Sequence, residues 1–325
     1  MVVDHSEYAL YRIDLELRSA FDDLVFTSIL GDICDPATVE TVVGRFQPEV
    51  LFHAAAYKHL PILQNQVREA VRNNVTGTMR LVEAADRHGV GTFVLISTDK
   101  AVNPANVMGA TKRVAEMYCQ GMNERSDTRF VTVRFGNVLG SSGSVVPLFL
   151  EQIEQGGPVT VTHPEVTRYF MTIPEAAQLV LQAASMARGG DVFLLDMGTP
   201  IKILDLAKRM IRLKGFRPKT DETPDGDIAI EITGLKPGEK LYEELLMGEA
   251  AAGTDHRKIM RAEEDFVSWA ELRGALNTLE QACDDYDFGA IKAFIENLVE
   301  GADLSAQLVD LTTTAEVLPF RPGER

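Results

Sequence analysis

Reactive side chains follow an apolar run in the middle of the sequence. The run at 94–96 is succeeded by Ser97, Thr98, Asp99 and Lys100, and Lys112 comes twelve residues after Lys100. A carboxyl group and an amine at the end of a buried strand can donate and accept protons during a reaction. The same pair also occurs as a solvent-exposed ion pair at strand ends, and the pair alone leaves both interpretations open.

Two further strand ends have the features of a ligand site. Asp4 follows two valines, in the place where a carboxylate binds the ribose of a dinucleotide in parallel α/β folds. The small residues Ala54, Ala55 and Ala56 follow another apolar run and let the backbone approach a ligand. The alternatives are an ordinary strand-end carboxylate for Asp4 and tight helix packing for the alanines.

Short apolar runs alternate with amphipathic stretches over the first 200 residues. The alternation predicts βαβ units and an α/β, Rossmann-like, doubly wound parallel sheet. The carboxyl ends of its strands meet along one edge, where a ligand binds. Predicted strands cover residues 1–4, 24–30, 50–53, 93–97 and 130–135, and predicted helices cover 7–20, 37–46, 64–88 and 107–124.

The pattern becomes less regular after residue 136. Helices are predicted at 145–155, 201–213 and 271–299, with an apolar patch at 191–196 and a strand at 227–233. We therefore predict a dinucleotide-binding domain at 1–140, a smaller C-terminal substrate-binding lobe at 141–300 and a tail at 301–325.

The beginning of the sequence lacks one element of the predicted fold. A complete dinucleotide-binding fold opens with a strand and a Gly-rich turn, whose backbone donors bind pyrophosphate. No such turn precedes Asp4. We therefore expect the chain to begin at the second strand, with about 30 residues of strand, turn and helix missing, and to bind a dinucleotide weakly.

Composition restricts the class of function. The formal net charge of −16 over 325 residues opposes a nucleic-acid surface but allows a local cationic site for a small anion. Cys34, Cys119 and Cys283 are widely spaced, predict no metal site and fit a reducing compartment. No run of about 20 apolar residues is present, so we predict no membrane segment and a cytoplasmic location.

Six motifs carry a resemblance to a known family. They are HAAAYKHLP at 53–61, STDKAVNP at 97–104, VMGATKR at 107–113, VRFGNVLG at 133–140, TRYFMT at 167–172 and GLKPGEKL at 234–241. In this order they resemble the UDP-N-acetylhexosamine 4,6-dehydratases, which are extended short-chain dehydrogenase/reductases of polysaccharide biosynthesis, including capsule and O-antigen synthesis. The resemblance covers roughly residues 1–250.

The resemblance implies a catalytic set made of Thr98, Asp99, Lys100, Met108 and Lys112. In the wider superfamily a hydroxyl residue, a tyrosine and a lysine act together, and Thr98 and Lys112 match two of these. Met108 stands at the tyrosine position, as in the branch that this chain resembles, and cannot transfer a proton. The implied base is then Lys100, its pKa depressed by burial and the nicotinamide, and the implied acid is Asp99, its pKa raised by desolvation.

Cofactor and substrate contacts are implied as well. The implied NAD-binding residues are Asp4, Asp32, Ile33, Ala54, Ala55, Ala56 and Lys112. The implied UDP-sugar contacts are Tyr57, Lys58, His59, Arg134, Asn137, Arg168, Lys236, Glu239 and Tyr242. Of these, Arg168 and Lys236 are expected to neutralise the diphosphate. A plain turn at Asp32, with Asp35 capping the next helix, and a solvated Arg168 remain open alternatives.

The expected activity is NAD-dependent 4,6-dehydration of a UDP-N-acetylhexosamine, with UDP-GlcNAc as the expected sugar nucleotide. Two other functions stay open: a nucleotide-sugar 4-epimerase of the same superfamily, and an inactive, truncated module for binding or assembly. The expected partners are the UDP-sugar and further copies of the chain in a homo-oligomer. The resemblance also implies that full-length relatives are either cytoplasmic or anchored at the inner membrane.

Overall fold

The computed structural model describes residues 1–244, 251–262, 264 and 267–304. Strands and helices alternate through the first 200 residues, as the sequence predicts. The strands are β1 (Val2–Asp4), β2 (Ser28–Leu30), β3 (Val50–His53), β4 (Thr92–Thr98), β5 (Arg129–Phe135), β6 (Asn137–Val138), β7 (Val159–Val161), β8 (Thr167–Arg168), β9 (Phe170–Met171), β10 (Val192–Leu195), β11 (Ile201–Lys202), β12 (Ile230–Ile232), β13 (Ala251–Gly253) and β14 (Ile259–Ala262). The helices are α1 (Glu7–Ala20), α2 (Pro36–Phe46), α3 (Leu60–Leu63), α4 (Val67–Val71), α5 (Gly77–Arg87), α6 (Val107–Asn123), α7 (Val145–Glu154), α8 (Ile173–Met186), α9 (Ile203–Leu213), α10 (Trp269–Asp284) and α11 (Phe288–Leu298).

A six-stranded sheet forms the centre of the fold. Its strand order is β13–β14–β10–β5–β4–β3. Strands β3, β4, β5 and β10 are parallel, whereas β14 is antiparallel to both β10 and β13. Helices connect the successive parallel strands and so form βαβ units. This arrangement confirms the predicted α/β, Rossmann-like class.

A separate parallel pair, β1 and β2, lies across a cavity from the free edge of β3. Residues of β1, α2 and β3 line this cavity, whose volume is about 430 Å³. Val50 and Phe52 of β3 contribute to it and are each 44% exposed. Among the described residues no strand lies between β1 and β3.

Helices cover both faces of the central sheet. On one face, α5, α6, α10 and α11 share a buried cluster with Phe93 and Phe130. On the other face, α8 packs against Val94, Val131 and Phe193. Neighbouring residues of β4 and β5 therefore point to opposite helix layers, as expected for a parallel sheet that is buried on both sides.

The prediction of a single helix over residues 64–88 is wrong in detail. The structure has α4, a π-helical turn (Arg72–Thr76) and α5 in this region. The turn directs two amides toward the loop after β3: Asn73 Nδ2 donates to Ala55 O (3.2 Å), and Asn74 Oδ1 accepts from Tyr57 N (2.8 Å). One widened turn of this kind is too short to change the hydrophobic pattern of the segment recognisably, so the pattern does not predict it.

Two other predicted boundaries also differ. The strand predicted at 24–30 shortens to β2, because only its last three residues pair with β1. The helix predicted at 271–299 is divided into α10 and α11. Between them Tyr286 adopts a φ of 56°, and Asp287 caps α11 by accepting from Ala290 N. The antiparallel strands β13 and β14 are not predicted by the sequence pattern.

The second half of the chain contains a smaller hydrophobic core. Phe149 of α7, Val159 of β7 and Ile211 of α9 are buried together in it. The division into a domain at 1–140 and a lobe at 141–300 stays a prediction.

Most of the predicted tail at 301–325 lies outside the described residues, since nothing is described beyond residue 304. In the part of the chain that is described, no helix is long and apolar enough to cross a membrane.

Candidate active site

The residues predicted to do acid–base chemistry lie at the carboxyl end of β4. Thr98 ends the strand, and a 3-10 turn (Asp99–Ala101) follows. Thr98 Oγ1 donates to Asp99 Oδ1 (2.8 Å), and Lys100 Nζ donates to the same oxygen (2.9 Å). The Asp99 side chain is fully buried, and that of Lys100 is 14% exposed. The pair is therefore enclosed by protein, and the alternative of a solvent-exposed ion pair is wrong.

The surroundings of Lys100 determine the pKa of its ammonium group. Burial by itself would lower this pKa, but the negative charges of Asp99 and Glu243 outweigh burial and raise it above its ordinary value. Asn137 Oδ1 lies 3.4 Å from Lys100 Nζ and is a further acceptor. The expectation that burial depresses the pKa of Lys100 is wrong in this structure, because the charges of Asp99 and Glu243 together outweigh the effect of burial.

That second carboxylate belongs to Glu243, which no sequence pattern identifies as a site residue. Its Oε1 lies 3.7 Å from Lys100 Nζ and 3.5 Å from Arg168 Nε. Burial raises the pKa of the Glu243 carboxyl, although Lys100 and Arg168 oppose this effect. Glu243 is remote from Lys100 in the sequence. Its position two residues after the motif at 234–241 is the one signal that could have found it.

Helix α6 carries Met108 and Lys112 on consecutive turns beside this pair. Lys112 Nζ donates to the carbonyl oxygen of Ile96 in β4 (2.6 Å). Burial lowers the pKa of Lys112 to about 8, so a fraction of its amine is neutral near pH 7. Met108 is 5% exposed and fills the position one turn earlier with a side chain that cannot ionise.

A glycine allows α6 to approach the acid–base turn. A Cβ atom at Gly109 would lie 2.0 Å from the carbonyl oxygen of Lys100, far inside van der Waals contact. Only glycine therefore permits this approach without displacement of the backbone. The position of Lys100 relative to α6 depends directly on this contact.

The residues predicted to hold the adenosine end of NAD come together in the structure. One cavity of about 150 Å³ is lined by Asp4, Ile33, Ala54, Ala55 and Ala56, and Asp32 lines the adjoining cavity. Both carboxylates also have local roles, because Asp4 Oδ1 accepts from Ser6 N and Asp32 Oδ1 accepts from Cys34 N (2.7 Å each). A cavity that is lined by small side chains and has a carboxylate at one end fits the adenine and ribose of a dinucleotide.

The guanidinium of Arg168 bonds to groups of the protein. Its Nη1 donates to Thr167 O (2.7 Å) and Leu241 O (3.3 Å). Its Nη2 donates to Lys240 O (2.7 Å) and Glu239 Oε1 (3.3 Å). Only 9% of Arg168 is exposed, so the alternative of a solvated surface residue is wrong. The diphosphate-binding role of Arg168 stays a prediction, since in this structure its donors hold the segment around Glu239.

The other predicted substrate residues are mostly exposed. The side chains of Tyr57, Lys58 and His59 follow β3, and the His59 ring packs so closely on Gly143 that a Cβ there would lie 2.3 Å from the ring. This contact joins the loop after β3 to the loop before α7. Lys236 and Tyr242 are also exposed. Contacts of these five residues with a substrate stay predictions.

Arg134 lies in the core instead of at the site. Its Nε and Nη2 donate to the Glu116 carboxylate (2.8 and 2.5 Å), and its Nη1 and Nη2 donate to Glu264. Arg113 also pairs with Glu264 (2.9 Å), and Arg134 is only 1% exposed. The expectation that Arg134 contacts a substrate is wrong in this structure, because its donors are occupied by two buried carboxylates.

A doubly wound parallel sheet, with a lysine of α6 beside polar groups at the end of β4, defines the class of extended short-chain dehydrogenase/reductases. Within this class, the chain belongs to the polysaccharide biosynthesis protein family, whose model matches residues 1–264. The match confirms the resemblance carried by the six motifs.

Curated relatives support this membership. The capsular polysaccharide biosynthesis protein CapD of Staphylococcus aureus is 53% identical over 275 residues, which are 84% of this chain and 45% of CapD. The chain spans about half the length of the curated relatives it matches first. A UDP-glucose 4-epimerase of Rickettsia canadensis is 34% identical over 240 residues, covering 73% of this chain and 67% of the epimerase.

Solved structures show the same fold. The X-ray structure of Pen from Bacillus thuringiensis has a TM-score of 0.71 and 33% sequence identity, over 85% of this chain and 88% of Pen. DesIV, a dTDP-glucose 4,6-dehydratase from Streptomyces venezuelae solved as a double mutant with NAD bound, has a TM-score of 0.66 at 18% identity. That match covers 86% of this chain and 88% of DesIV.

Proposed function

We propose that this chain is a nucleotide-sugar-modifying enzyme that catalyses NAD-dependent 4,6-dehydration of a UDP-N-acetylhexosamine, with UDP-GlcNAc as the substrate. One observation carries the proposal: a buried aspartate–lysine pair lies beside Lys112, while Met108 replaces the tyrosine that a simple hydride-transfer enzyme uses. An acid and a base at the sugar are what elimination needs and what hydride transfer alone does not need.

The reaction assigns a separate task to each group. When bound, NAD would supply reversible removal of a hydride from carbon 4 and its return at carbon 6. The ketone at carbon 4 acidifies the proton on carbon 5. In the proposal, the proton of the carbon 4 hydroxyl passes to water as the hydride is removed, Lys100 Nζ takes the proton from carbon 5, and the Asp99 carboxyl gives a proton to the hydroxyl that leaves carbon 6 as water. Lys100 then returns its proton to carbon 5 as the hydride is returned at carbon 6, and Asp99 regains a proton from water. Asp99 Oδ2 has no hydrogen-bond partner among the described residues, but it is buried, so a substrate would reach this oxygen only after a local rearrangement.

Lys100 can act as the base only in its neutral form. Because Asp99 and Glu243 raise the pKa of its ammonium group, little of it is neutral near pH 7. The proposal therefore requires that turnover rise with pH as Lys100 loses its proton.

The binding roles proposed here follow the positions of the side chains. Asp4, Asp32, Ile33 and the three alanines at 54–56 would hold the adenosine end of NAD, and Lys112 would hold its nicotinamide end. Asn137 Oδ1 lies 3.4 Å from Lys100 Nζ, and in the proposal the Asn137 side chain would contact the sugar. Assembly into a homo-oligomer is part of the proposal.

A second candidate is nucleotide-sugar 4-epimerisation, which the UDP-glucose 4-epimerase relative favours. Epimerisation changes the configuration of carbon 4 and retains the carbon 6 hydroxyl. It therefore has no use for the acid of the buried pair.

The experiment that separates the candidates is incubation of the purified chain with UDP-GlcNAc and NAD, followed by mass spectrometry and NMR of the products. The proposal expects a product that has lost one water and carries a 4-ketone and a 6-methyl group. A product of unchanged mass with inverted carbon 4 would replace the proposal with the epimerase. Absence of both conversion and NAD binding would instead leave a binding or assembly module.

A further inference from the structure

The contacts of Lys100 include one group that the proposed reaction does not use. We propose that Glu243 is a positioning residue of the active site, which holds the Lys100 amino group between two carboxylates and favours its charged form, so that it opposes the loss of the proton that Lys100 must give up before it acts as a base. The inference rests on the proposed function only for the identity of the reaction that Lys100 serves.

The position of the Glu243 carboxylate supports this role. Its Oε1 faces two cations, at 3.7 Å from Lys100 Nζ and 3.5 Å from Arg168 Nε. Its side chain is 4% exposed, and its Oε2 is buried without a hydrogen-bond partner in the protein. A buried carboxylate is unfavourable unless nearby cations compensate it. Lys100 and Arg168 are these cations, so Glu243 and Lys100 each depend on the other.

The segment that carries Glu243 is attached to the loop after β4 by other contacts. Asn106 Nδ2 donates to Gly238 O (3.0 Å), and Lys240 Nζ donates to Val102 O (3.1 Å). Gly238 has a φ of 75°, and a Cβ there would lie 2.8 Å from the Cβ of Asn106. These contacts do not involve the Glu243 side chain. They should therefore keep the segment in place when the carboxylate of Glu243 is replaced by an amide.

The charges around Lys100 indicate what that replacement does. Asp99 and Glu243 favour the charged ammonium group, Arg168 opposes it, and the Asn137 amide contributes a neutral acceptor. Glu243→Gln removes one of the two negative charges and preserves the shape of the side chain. The pKa of Lys100 should then fall by about one unit, since an opposite charge within this distance typically shifts a pKa by about 1–3 units.

The test is an NMR titration of lysine side chains in the purified chain without substrate. Lys100→Arg identifies the signal of Lys100, and the titration is then followed in the wild type, in Glu243→Gln and in the control Glu244→Gln. Glu244 is the neighbouring carboxylate, is 48% exposed and pairs with Lys240. A lower pKa of Lys100 in Glu243→Gln alone is the expected result. The same titration in wild type and Glu243→Gln would overturn the proposal.

This readout does not depend on turnover, so it separates the role of Glu243 from the proposed reaction. If dehydration is observed, the ascending limb of its pH profile should move to lower pH in Glu243→Gln and return toward the wild-type position in Glu243→Asp, which restores the charge. In Glu243→Gln the NMR titration of Lys100 could shift while the ascending limb of the pH profile of dehydration stays in place. That result would support Glu243 as the positioning residue and contradict Lys100 as the base.

Discussion

The amino group of Lys112 on α6 lies 2.6 Å from the carbonyl oxygen of Ile96 in β4. This hydrogen bond joins the helix to the strand just before the turn that carries Asp99 and Lys100. It also holds Lys112 in a buried position, where burial lowers its pKa to about 8. Two lysines of one site thus have pKa values shifted in opposite directions, because only Lys100 faces two nearby carboxylates.

The stability of the protein should depend on pH through Lys112. Its folded-state pKa of about 8 lies below the ordinary value of 10.5, so between these pH values the unfolded chain binds more protons. Wild-type stability, relative to Lys112→Met, should therefore rise with pH in this window, by up to about 1.4 kcal/mol per pH unit. Urea denaturation of both proteins across the window measures this difference. A difference that does not change with pH would show that Lys112 titrates normally.

Met108 should be replaceable by an apolar residue of similar size. Met108→Leu nearly conserves volume, and such changes typically cost less than about 1.5 kcal/mol. Since the proposal gives Met108 no proton to transfer, turnover should stay close to that of the wild type. Steady-state kinetics and thermal denaturation measure the two effects. A loss of turnover beyond about a hundredfold, with stability retained, would mean that the sulfur contributes to the chemistry.

Arg134 should contribute to stability and not to substrate binding. Arg134→Met removes the buried cation that pairs with both Glu116 and Glu264, and removal of one member of a buried ion pair typically costs about 3–5 kcal/mol. The exposed Lys236 provides the matched control, because Lys236→Met should change stability by less than about 0.5 kcal/mol. Chemical denaturation compares the two variants. Equal free energies of unfolding for Arg134→Met and Lys236→Met would show that the buried ion pairs of Arg134 do not stabilise the core.

The sequence predicts those parts of the site that depend on residues close to one another in the chain. The strand predicted at 93–97 is β4 (Thr92–Thr98) and the helix predicted at 107–124 is α6 (Val107–Asn123), so short-range patterns predict the bounds of both elements to within one residue. The family and the α/β class are confirmed as well.

Long-range contacts account for what the sequence does not predict. Glu243 and Glu264 reach the site and the core from distant segments, and no periodicity indicates either contact. Glu243 adds to the upward shift of the Lys100 pKa that Asp99 also causes, and Glu264 shares the buried Arg134 guanidinium with Glu116. Both predictions failed, and in each case a carboxylate from a distant segment, which only the fold brings close, contributes to the outcome.

Gly109 and Gly274 should respond oppositely to the same substitution. Gly109→Ala places a methyl group against the Lys100 carbonyl, so the turn must move, and a displacement of about 1 Å can reduce turnover about a hundredfold. Gly274 lies in α10 with open space around its missing side chain. Gly274→Ala should therefore stabilise the helix by up to about 1 kcal/mol and leave activity unchanged. Full activity in Gly109→Ala would show that the close approach of α6 is not required.

The central claim is that Lys100 removes the proton from carbon 5 during dehydration. Lys100→Met retains much of the aliphatic stem and removes the base, so the substrate should still bind. A positioned base typically contributes about a hundredfold to ten-thousandfold, and turnover should fall by at least the lower amount. Asp99→Asn removes the proposed acid, which acts with or after proton abstraction.

Exchange of the carbon 5 proton with heavy water, followed by NMR in the presence of NAD and UDP-GlcNAc, tests this claim most directly. We expect Lys100→Met to suppress the exchange and Asp99→Asn to preserve more of it, because proton abstraction does not need the acid that assists the leaving hydroxyl. Rapid exchange in Lys100→Met would contradict the account and make Lys112 or a bound water the base.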